Sequence, residues 1–556
     1  MMTNKEIANS FNQLAKIMEL HGENKFKIRS YSNAYLTLRK LGEPLAEMSD
    51  KEISGIKGVG NAISGKIREL LDNGHMQTLQ KYLDKTPPGI VEMLGIKGFG
   101  PKKIKSLWDG LGVETIGELL YACNENRLVE LKGFGLKTQD DLRQKLEYFL
   151  QSRDKYHYAR LETEAIELLG LLQKRLPEAA FHFTGALRRR ATILEAIELL
   201  VVSEQDLAPL FDEEVFRLEA QEGQLYQART EKDSLVYLYQ CNSDEQGSKQ
   251  FRYTATDDFM KAFIAAFPKQ DFRGFAEEKA IFEKVNIAYI PPELREGKQY
   301  IEAAKSHSLP TLVAPGDIRG IVHSHTTYSD GLHSLEEMAT YAKEEGFDYI
   351  LITDHSKSAF YANGLQPERV LAQMQEIDAL NEQLAPFKIY KGIESDILGD
   401  GSLDYEDDIL EKFDVVIASV HSNLKMDLEK ATQRLLTAIE NPHTRILGHP
   451  TGRLLLSRKG YPIDHKRIID ACAAHHVALE LNANPYRLDL DWTWIPYALE
   501  KGVLVAINPD AHSQEGMHDI RYGVLAARKG ALPPDRCLTA FSREDFEKWV
   551  VGDFVG

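Results

Sequence analysis

Beyond residue 318 the chain repeats one rhythm. Short apolar runs end in polar clusters and are followed by amphipathic stretches: "IRGIVHSH", "YILITDHS", "IYKGIESD", "VVIASVHS", "TRILGHP", "VALELNANP" and "VLVAINPDAHS". Runs of this length, rich in β-branched residues, predict buried strands, and the stretches between them predict helices. Seven such units within 318–556 predict a closed parallel (β/α) barrel. The polar residues fall at the C-terminal ends of the strands, the face where such barrels build their active sites.

The first 150 residues have a different pattern, helix after helix interrupted by a recurring turn. "GIKGVGNAISGKI" (55–67), "GIKGFGPKKIKSL" (95–107) and "LKGFGLKTQDDL" (131–142) share an apolar-Lys-Gly-apolar-Gly core. Residues 151–240 shift to mixed α/β, with a helix near 161–175 and then β-branched runs such as "AIELLVVS" and "LVYLYQ". Residues 241–305, which include "IAYIPPELREG", predict a small helical and loop piece, and the Pro- and Gly-punctuated 306–317 predicts a linker. The expected divisions are therefore 1–80, 81–150, 151–240, 241–305, the linker 306–317, and 318–556.

Composition narrows the partners. A chain of 556 residues exceeds what one core accommodates, and 43% apolar with 27% charged residues is the make-up of an ordered soluble protein. No apolar run approaches the ~18 residues of a membrane span, and the first residues lack the apolar core of a signal peptide. Cys123, Cys241, Cys472 and Cys537 are scattered and form no C-x-x-C pair. That excludes a disulfide framework and a cysteine zinc site, and sets the expected compartment as the reducing cytoplasm. The net charge of −17 argues against nucleic acid, but residues 1–150 carry 22 Lys and Arg against 19 Asp and Glu. The acidic excess lies in the later domains, which leaves the first segment free to approach phosphates.

The strand ends of the barrel segment offer His323 and His325 in "HSH", Asp330 in "YSDG", His355 in "TDH" and Glu394 in "GIES". They continue with His421 in "SVHS", His449 in "LGHP", and Asp510 and His512 in "PDAH". Imidazoles and carboxylates suit Zn²⁺, Mn²⁺ or Fe²⁺, and the H-x-H and D-x-H spacings put both side chains on one face of a strand. Several ions held close together can generate hydroxide, bind a phosphate and neutralise a leaving oxygen. This constellation resembles the polymerase and histidinol phosphatase (PHP) family of metal-dependent phosphoesterases. The resemblance implies three ions. His323, His325, Glu394 and Asp510 would hold the first. Glu394 would bridge to the second with His421 and His449, and Asp330, His355 and His512 would hold the third. His323, His325, Glu394, Asp510 and His512 are thereby the expected catalytic set. Arg453 and Lys357, just beyond two strand ends, are candidates for phosphate contact.

Backbone N–H groups in an apolar-x-Gly-x-Gly turn before a helix can bind a DNA phosphate without reading sequence. The candidates are Gly58 and Gly60, then Gly98 and Gly100 with Lys102, Lys103 and Lys105, then Gly133 and Gly135 with Lys137. Each turn also has a Lys before its first Gly. These turns resemble helix-hairpin-helix elements. Their order, followed by a mixed segment, "YIPPELREG" and the barrel, resembles bacterial and archaeal family X DNA polymerases with an appended PHP domain. The implied fold is multidomain α and α/β: helix-hairpin-helix domains, a nucleotidyltransferase-like α+β palm with a small thumb, and a distorted (β/α)7 PHP barrel.

In that family a Gly-Ser-x-Arg-Arg loop supports the incoming triphosphate, and two aspartates on the next strand hold Mg²⁺. Here "TGALRRRATILEAIELLVV" keeps Gly185, Arg188 and Arg189, but the aspartate positions fall on Ala196 and Glu198. The third falls on Tyr237, and the Thr-Gly-Ser turn appears as Thr254-Ala255-Thr256. The expectation is a folded palm that lacks its Mg²⁺ ligands, joined to an intact phosphoesterase that acts on gapped or recessed DNA without sequence specificity, as a 3′→5′ exonuclease in repair. Three alternatives stay open on sequence: a gap-filling polymerase with a divergent palm, a non-catalytic DNA-end adaptor, and a small-molecule phosphatase.

Overall fold

The three Gly-containing turns of the N-terminal segment fold alike. In each, the apolar residue between the glycines is buried and its N–H closes a tight turn: Val59 on Ile56 O, Phe99 on Ile96 O and Phe134 on Leu131 O, at 2.9–3.0 Å. The first glycine has a left-handed backbone, with φ of 88° at Gly58, 85° at Gly98 and 93° at Gly133. A side chain resists that conformation, so the position selects glycine. The second glycine starts a helix: Gly60 and Gly100 are N-caps, and Gly135 O accepts the N–H groups of Thr138 and Gln139.

The computed structural model describes residues 2–553 apart from 97, 125–127, 129, 130, 132, 152 and 153. Lys97 and Lys132, the lysines before the second and third turns, thus lie outside the described residues. The chain divides into two units, Met1–Arg153 and Asp154–Gly556.

The first unit is helical: α1 (Asn4–Leu20), α2 (Lys25–Leu38), α3 (Asp50–Gly55), α4 (Asn61–Asn73), α5 (Gln77–Leu83), α6 (Pro88–Met93), α7 (Pro101–Leu111), α8 (Ile116–Asn124) and α9 (Leu136–Gln151). Thr3 and Ser49 form capping boxes with Glu6 and Glu52, which fix the starts of α1 and α3. Apolar residues at helical spacing, such as Ile7, Phe11, Leu14 and Met18 of α1, build its core.

The second unit begins with β1 (Tyr156–His157), α10 (Tyr158–Arg175), β2 (Ala180–Phe183), α11 (Gly185–Arg188) and β3 (Ile193–Leu194). It continues through β4 (Ile197–Val202), β5 (Phe216–Glu222), β6 (Leu225–Thr230) and β7 (Leu235–Cys241). Strands β2-β4-β7-β6-β5, in that order, form a sheet whose β4 and β7 are parallel with Glu198 opposite Tyr237. Helices α12 (Gln246–Thr254), α13 (Asp257–Ala266), α14 (Lys279–Lys284) and α15 (Gln299–Lys305) follow, packed around a cluster of phenylalanines at 251, 259, 263 and 282.

The remaining elements are β8 (Gly320–Ser324), α16 (Leu335–Glu344), β9 (Tyr349–Ile352), α17 (Pro367–Leu384), β10 (Lys388–Asp396), α18 (Asp407–Leu410) and β11 (Val415–Ser419). Next come α19 (Leu428–Ile439), β12 (Thr444–Leu447), α20 (His465–His475), β13 (Ala478–Asn482), α21 (Ile495–Glu500), β14 (Val505–Asn508), α22 (Ile520–Lys529) and α23 (Arg543–Val550). Strands β8 to β14 are parallel neighbours in sequence order, and a bridge between Ser324 and Ala511 brings the two edges together into a nearly closed barrel. All five residues of β8, β11 and β13 are buried, as strands covered on both faces require.

Candidate metal centre

Every one of the nine strand-end candidates arrives at the same place. The β8–β9 register shifts between Ile321 and Ser324, and within that bulge His323 takes a left-handed backbone, φ 72°. Bulges re-aim side chains next to functional sites, and here His323 and His325 both approach Glu394. Glu394 from β10 is the hub. Its Oε1 lies 3.0 Å from His449 Nε2, 3.1 Å from His421 Nε2 and 3.3 Å from His323 Nε2. Its Oε2 lies 2.9 Å from His355 Nδ1 and 3.7 Å from His325 Nε2. Asp510 Oδ1 stands 3.1 Å from His325 Nε2, and Asp330 Oδ1 stands 3.4 Å from His512 Nε2 and 3.6 Å from His355 Nε2.

Ligand atoms gather into three overlapping groups: His323 with His325 and Asp510; His355 with Glu394 and His421; and His325 with Asp330, His355 and His512. Among the described residues these are the three groups able to hold an ion, and all lie in the barrel. The atoms fit that occupant. His323 Nε2, His325 Nδ1 and Glu394 Oε2 are buried with no hydrogen-bond partner, a costly state for polar atoms that a bound cation relieves. Burial opposes ionisation of Glu394, but His421, His323 and His355 hold its carboxyl well below the usual range. Burial likewise opposes protonation of His421, yet Glu394 and Asp396 push its pKa up to about 10. His325, buried beside His512 and His355, is pulled down to about 3 and is therefore neutral, the form that ligates. The cluster is sealed on the His323 and Glu394 side and opens at Asp330 and His512, which are 35% and 39% exposed.

Several supporting residues carry no signal in a linear reading. Glu480, in the middle of β13, is fully buried and sits 2.6 Å from His323 Nδ1. Asp396 binds His421 Nδ1. Asp354 accepts the N–H groups of Thr326 and Ser329 and both their hydroxyls, which ties down the loop that presents Asp330. Arg453, expected at a phosphate, is engaged elsewhere: its guanidinium bonds Asp491 and the carbonyls of Arg487 and Leu488, bracing the loop after β13. Lys357 lies over the Tyr405 ring, 5.4 Å from its centre.

The palm is arranged differently. Gly185 is left-handed, φ 57°, and a Cβ there would lie 1.7 Å from Glu198 Oε2. That oxygen accepts the Ala186 N–H at 2.9 Å, while Tyr239 OH approaches Oε1 at 3.4 Å. Burial raises the Glu198 pKa. Tyr237 is its strand neighbour, and Ala196, buried just before β4, adds no ligand. Arg188 forms a two-pronged pair with Glu278 at 2.8 Å, and Glu278 is also held by the buried Arg295 at 2.6 Å. Arg189 bonds Thr254 O and Glu296, and Arg190 bonds Tyr158 OH beside Glu162, which Arg521 of α22 also reaches at 2.7 Å. Thr256 caps α13. In the helical unit, Lys102, Lys103 and Lys137 are exposed at the starts of α7 and α9, and Lys105 pairs with Asp109 at 3.1 Å.

Profiles of known families match three stretches: a helix-hairpin-helix domain at residues 2–76, a SAM-like helix-hairpin-helix tandem at 90–147, and the PHP domain at 322–484. The chain is 33% identical to the DNA polymerase/3′-5′ exonuclease PolX of Bacillus subtilis (strain 168), with 99% of each chain covered. Over 34% of its length it is 29% identical to a probable phosphatase of Thermoanaerobacter sp. (strain X514), of which 77% is covered. A probable phosphatase of Caldanaerobacter subterraneus subsp. tengcongensis is 30% identical over a similar share, with 74% of that protein covered. The order of these modules and a relative matched from end to end lead to one conclusion: the chain belongs to the family X DNA polymerases that carry a C-terminal PHP domain.

Proposed function

We propose that the chain is a DNA-binding, metal-dependent phosphoesterase that trims 3′ ends in DNA repair, with a palm that no longer polymerises. The convergence of nine imidazole and carboxylate side chains, with Glu394 as their hub, carries this reading. The proposed assignment is three Zn²⁺, Mn²⁺ or Fe²⁺ ions. His323, His325, Glu394 and Asp510 hold one, Glu394, His421 and His449 a second, and Asp330, His355 and His512 a third. Bound there, the ions supply an activated water and neutralise charge on a phosphodiester.

The chain's own residues do the rest. The buried side of the cluster holds geometry, and the open side at Asp330 and His512 admits the substrate. The glycine turns and the lysines at 102, 103 and 137 hold the DNA backbone without reading sequence, over the proposed domains 1–80 and 81–150. The 3′→5′ polarity follows the named activity of the Bacillus relative. Loss of polymerase activity is supported by Glu198, whose carboxyl group is bonded by Ala186 and Tyr239, and by the palm's having no cluster of three or more ligand side chains among the described residues. Four free, buried cysteines agree with work in a reducing compartment such as the cytoplasm.

The test is release of nucleotide from 3′-labelled gapped and recessed DNA with Mn²⁺ or Zn²⁺. Metal-dependent release that vanishes in a His323→Ala, Asp510→Ala double variant is the expected result. Tight DNA binding with no turnover would instead make the chain an adaptor. Because the Bacillus relative is named a polymerase, extension across a one-nucleotide gap is the second arm, and incorporation abolished by Glu198→Ala would overturn the silent palm.

A further inference from the structure

Three of the nine candidate ligands, His323, His449 and Asp510, have left-handed backbones, with φ of 72°, 20° and 53°. Non-glycine residues adopt this conformation at an energetic cost and keep it only where the surroundings dictate it. The three come from different strand ends, those of β8, β12 and β14, so no local turn accounts for them together.

One side chain bonds two of them and reaches the third through Asn482. Glu480 Oε2 accepts His323 Nδ1–H at 2.6 Å and Asn508 Nδ2 at 2.8 Å. Glu480 Oε1 accepts the backbone N–H of His449 at 3.0 Å and Asn482 Nδ2 at 3.3 Å. Asn482 Nδ2 in turn donates to Asp510 Oδ2 at 3.0 Å. The carboxylate is fully buried in mid-strand, and both its oxygens are occupied by donors. Asp396 orients His421 in a similar way, whereas Glu480 bonds both His323 and His449, which the proposed assignment gives to different ions.

We propose that Glu480 is a positioning residue for the metal centre: it holds the three left-handed ligands in place and fixes His323 with its proton on Nδ1, so that Nε2 faces Glu394 and Asp510. This rests on the reading that the nine-residue cluster binds divalent ions. The tautomer follows from the bonding, because an ionised carboxylate only accepts and the ring nitrogen it meets must carry the hydrogen. In the neutral ring, the form that ligates, His323 Nε2 is then a bare acceptor, buried and 3.3 Å from Glu394 Oε1, where a cation satisfies both.

Glu480→Gln isolates this role because it preserves volume and converts one acceptor oxygen into a donor. If the amide NH₂ faces His323, the imidazole proton must move to Nε2 and the ligating lone pair is lost. If it faces His449, two N–H groups meet head-on and His449 is displaced. In the full chain, Mn²⁺ affinity measured by chelator competition should weaken about 10–100-fold. The rise in melting temperature on Mn²⁺ saturation should shrink, while DNA binding by the same preparation stays as in the parent. Glu480→Asp, which restores two acceptor oxygens, should recover part of the affinity. A residue that merely stabilises the barrel would lower the melting temperature of the metal-free protein and leave Mn²⁺ affinity unchanged.

Should Glu480→Gln fail to fold, Asn482→Ala removes the link from Glu480 to Asp510, together with the bond from the Asn484 N–H, and should weaken Mn²⁺ by up to about tenfold. Parent-like Mn²⁺ affinity in a folded Glu480→Gln protein, or in Asn482→Ala where the first is unfolded, overturns the role of Glu480 alone. A parent protein that binds no Mn²⁺ overturns the metal centre itself, and this inference with it.

Discussion

The barrel and the palm both present acidic side chains at parallel strands, and they use them in opposite ways. In the barrel, Glu394 is met by five imidazoles and keeps an unsatisfied buried oxygen, so its charge is left facing a place for a cation. In the palm, Glu198 is met by a backbone N–H and a phenol, and its burial favours the neutral acid. The arginines beside it are likewise satisfied from within, Arg188 by Glu278 and Arg189 by Glu296. The difference teaches that a carboxylate makes a metal site only in company. With Ala196 and Tyr237 at the neighbouring positions, Glu198 braces the turn at Gly185.

The strongest way to break this comparison is to remove barrel ligands. His323→Ala with Asp510→Ala should lower phosphodiester hydrolysis by about 10³-fold or more, since several kcal/mol of charge stabilisation are lost and each ~1.4 kcal/mol is tenfold. Steady-state release from 3′-labelled DNA measures it, and unchanged release would place the chemistry elsewhere. Next is Glu278→Gln, which strands Arg188 and the fully buried Arg295 and should cost about 3–5 kcal/mol in urea unfolding at pH 7. The pH series sharpens it. Burial opposes ionisation of Glu278, but Arg188 and Arg295 outweigh it and bring the pKa down to about 2, from 4.5. A depressed carboxylate stabilises the fold above its unfolded pKa, and the contribution is lost as pH falls from about 4.5 toward 2, where parent and variant should converge.

A smaller effect is expected from Glu198→Ala, which leaves the Ala186 N–H without its acceptor at a cost of about 1–3 kcal/mol, read by thermal melting. Nuclease rate should not change, which separates a structural carboxylate from a catalytic one. Smallest of all, Lys102→Ala and Lys103→Ala should each reduce the salt slope of DNA binding by about one unit if each contacts a phosphate. Both should slow hydrolysis of DNA and leave hydrolysis of a small phosphodiester untouched, showing that the helical unit serves the barrel by delivering substrate.

Much of this was legible along the chain because it recurs at a fixed place in a repeated unit. The glycine turns at 58, 98 and 133 share one backbone conformation, and the ligands follow strand ends, where a period-two strand gives way to a polar loop. Even the palm register was readable, since Tyr237 does lie opposite Glu198. Glu480 was not. In "VALELNANP" it is a lone acid inside an apolar strand, and its meaning comes from His323, 157 residues earlier, His449, 31 earlier, and Asn508, 28 later. Arg453 shows the reverse case. It has the right charge beside a strand end, but Asp491 and two carbonyls from the loop after β13 already occupy its guanidinium.

Sequence by itself determined the modules, their order and the inventory of candidate ligands, because hydrophobic period, glycine turns and strand-end chemistry are properties of short segments. Only the tertiary structure decided which acids are gathered among imidazoles and which are bonded within their own fold. Burial and the distance between groups set the state of a carboxylate, and both are created when strands far apart in the chain are brought side by side.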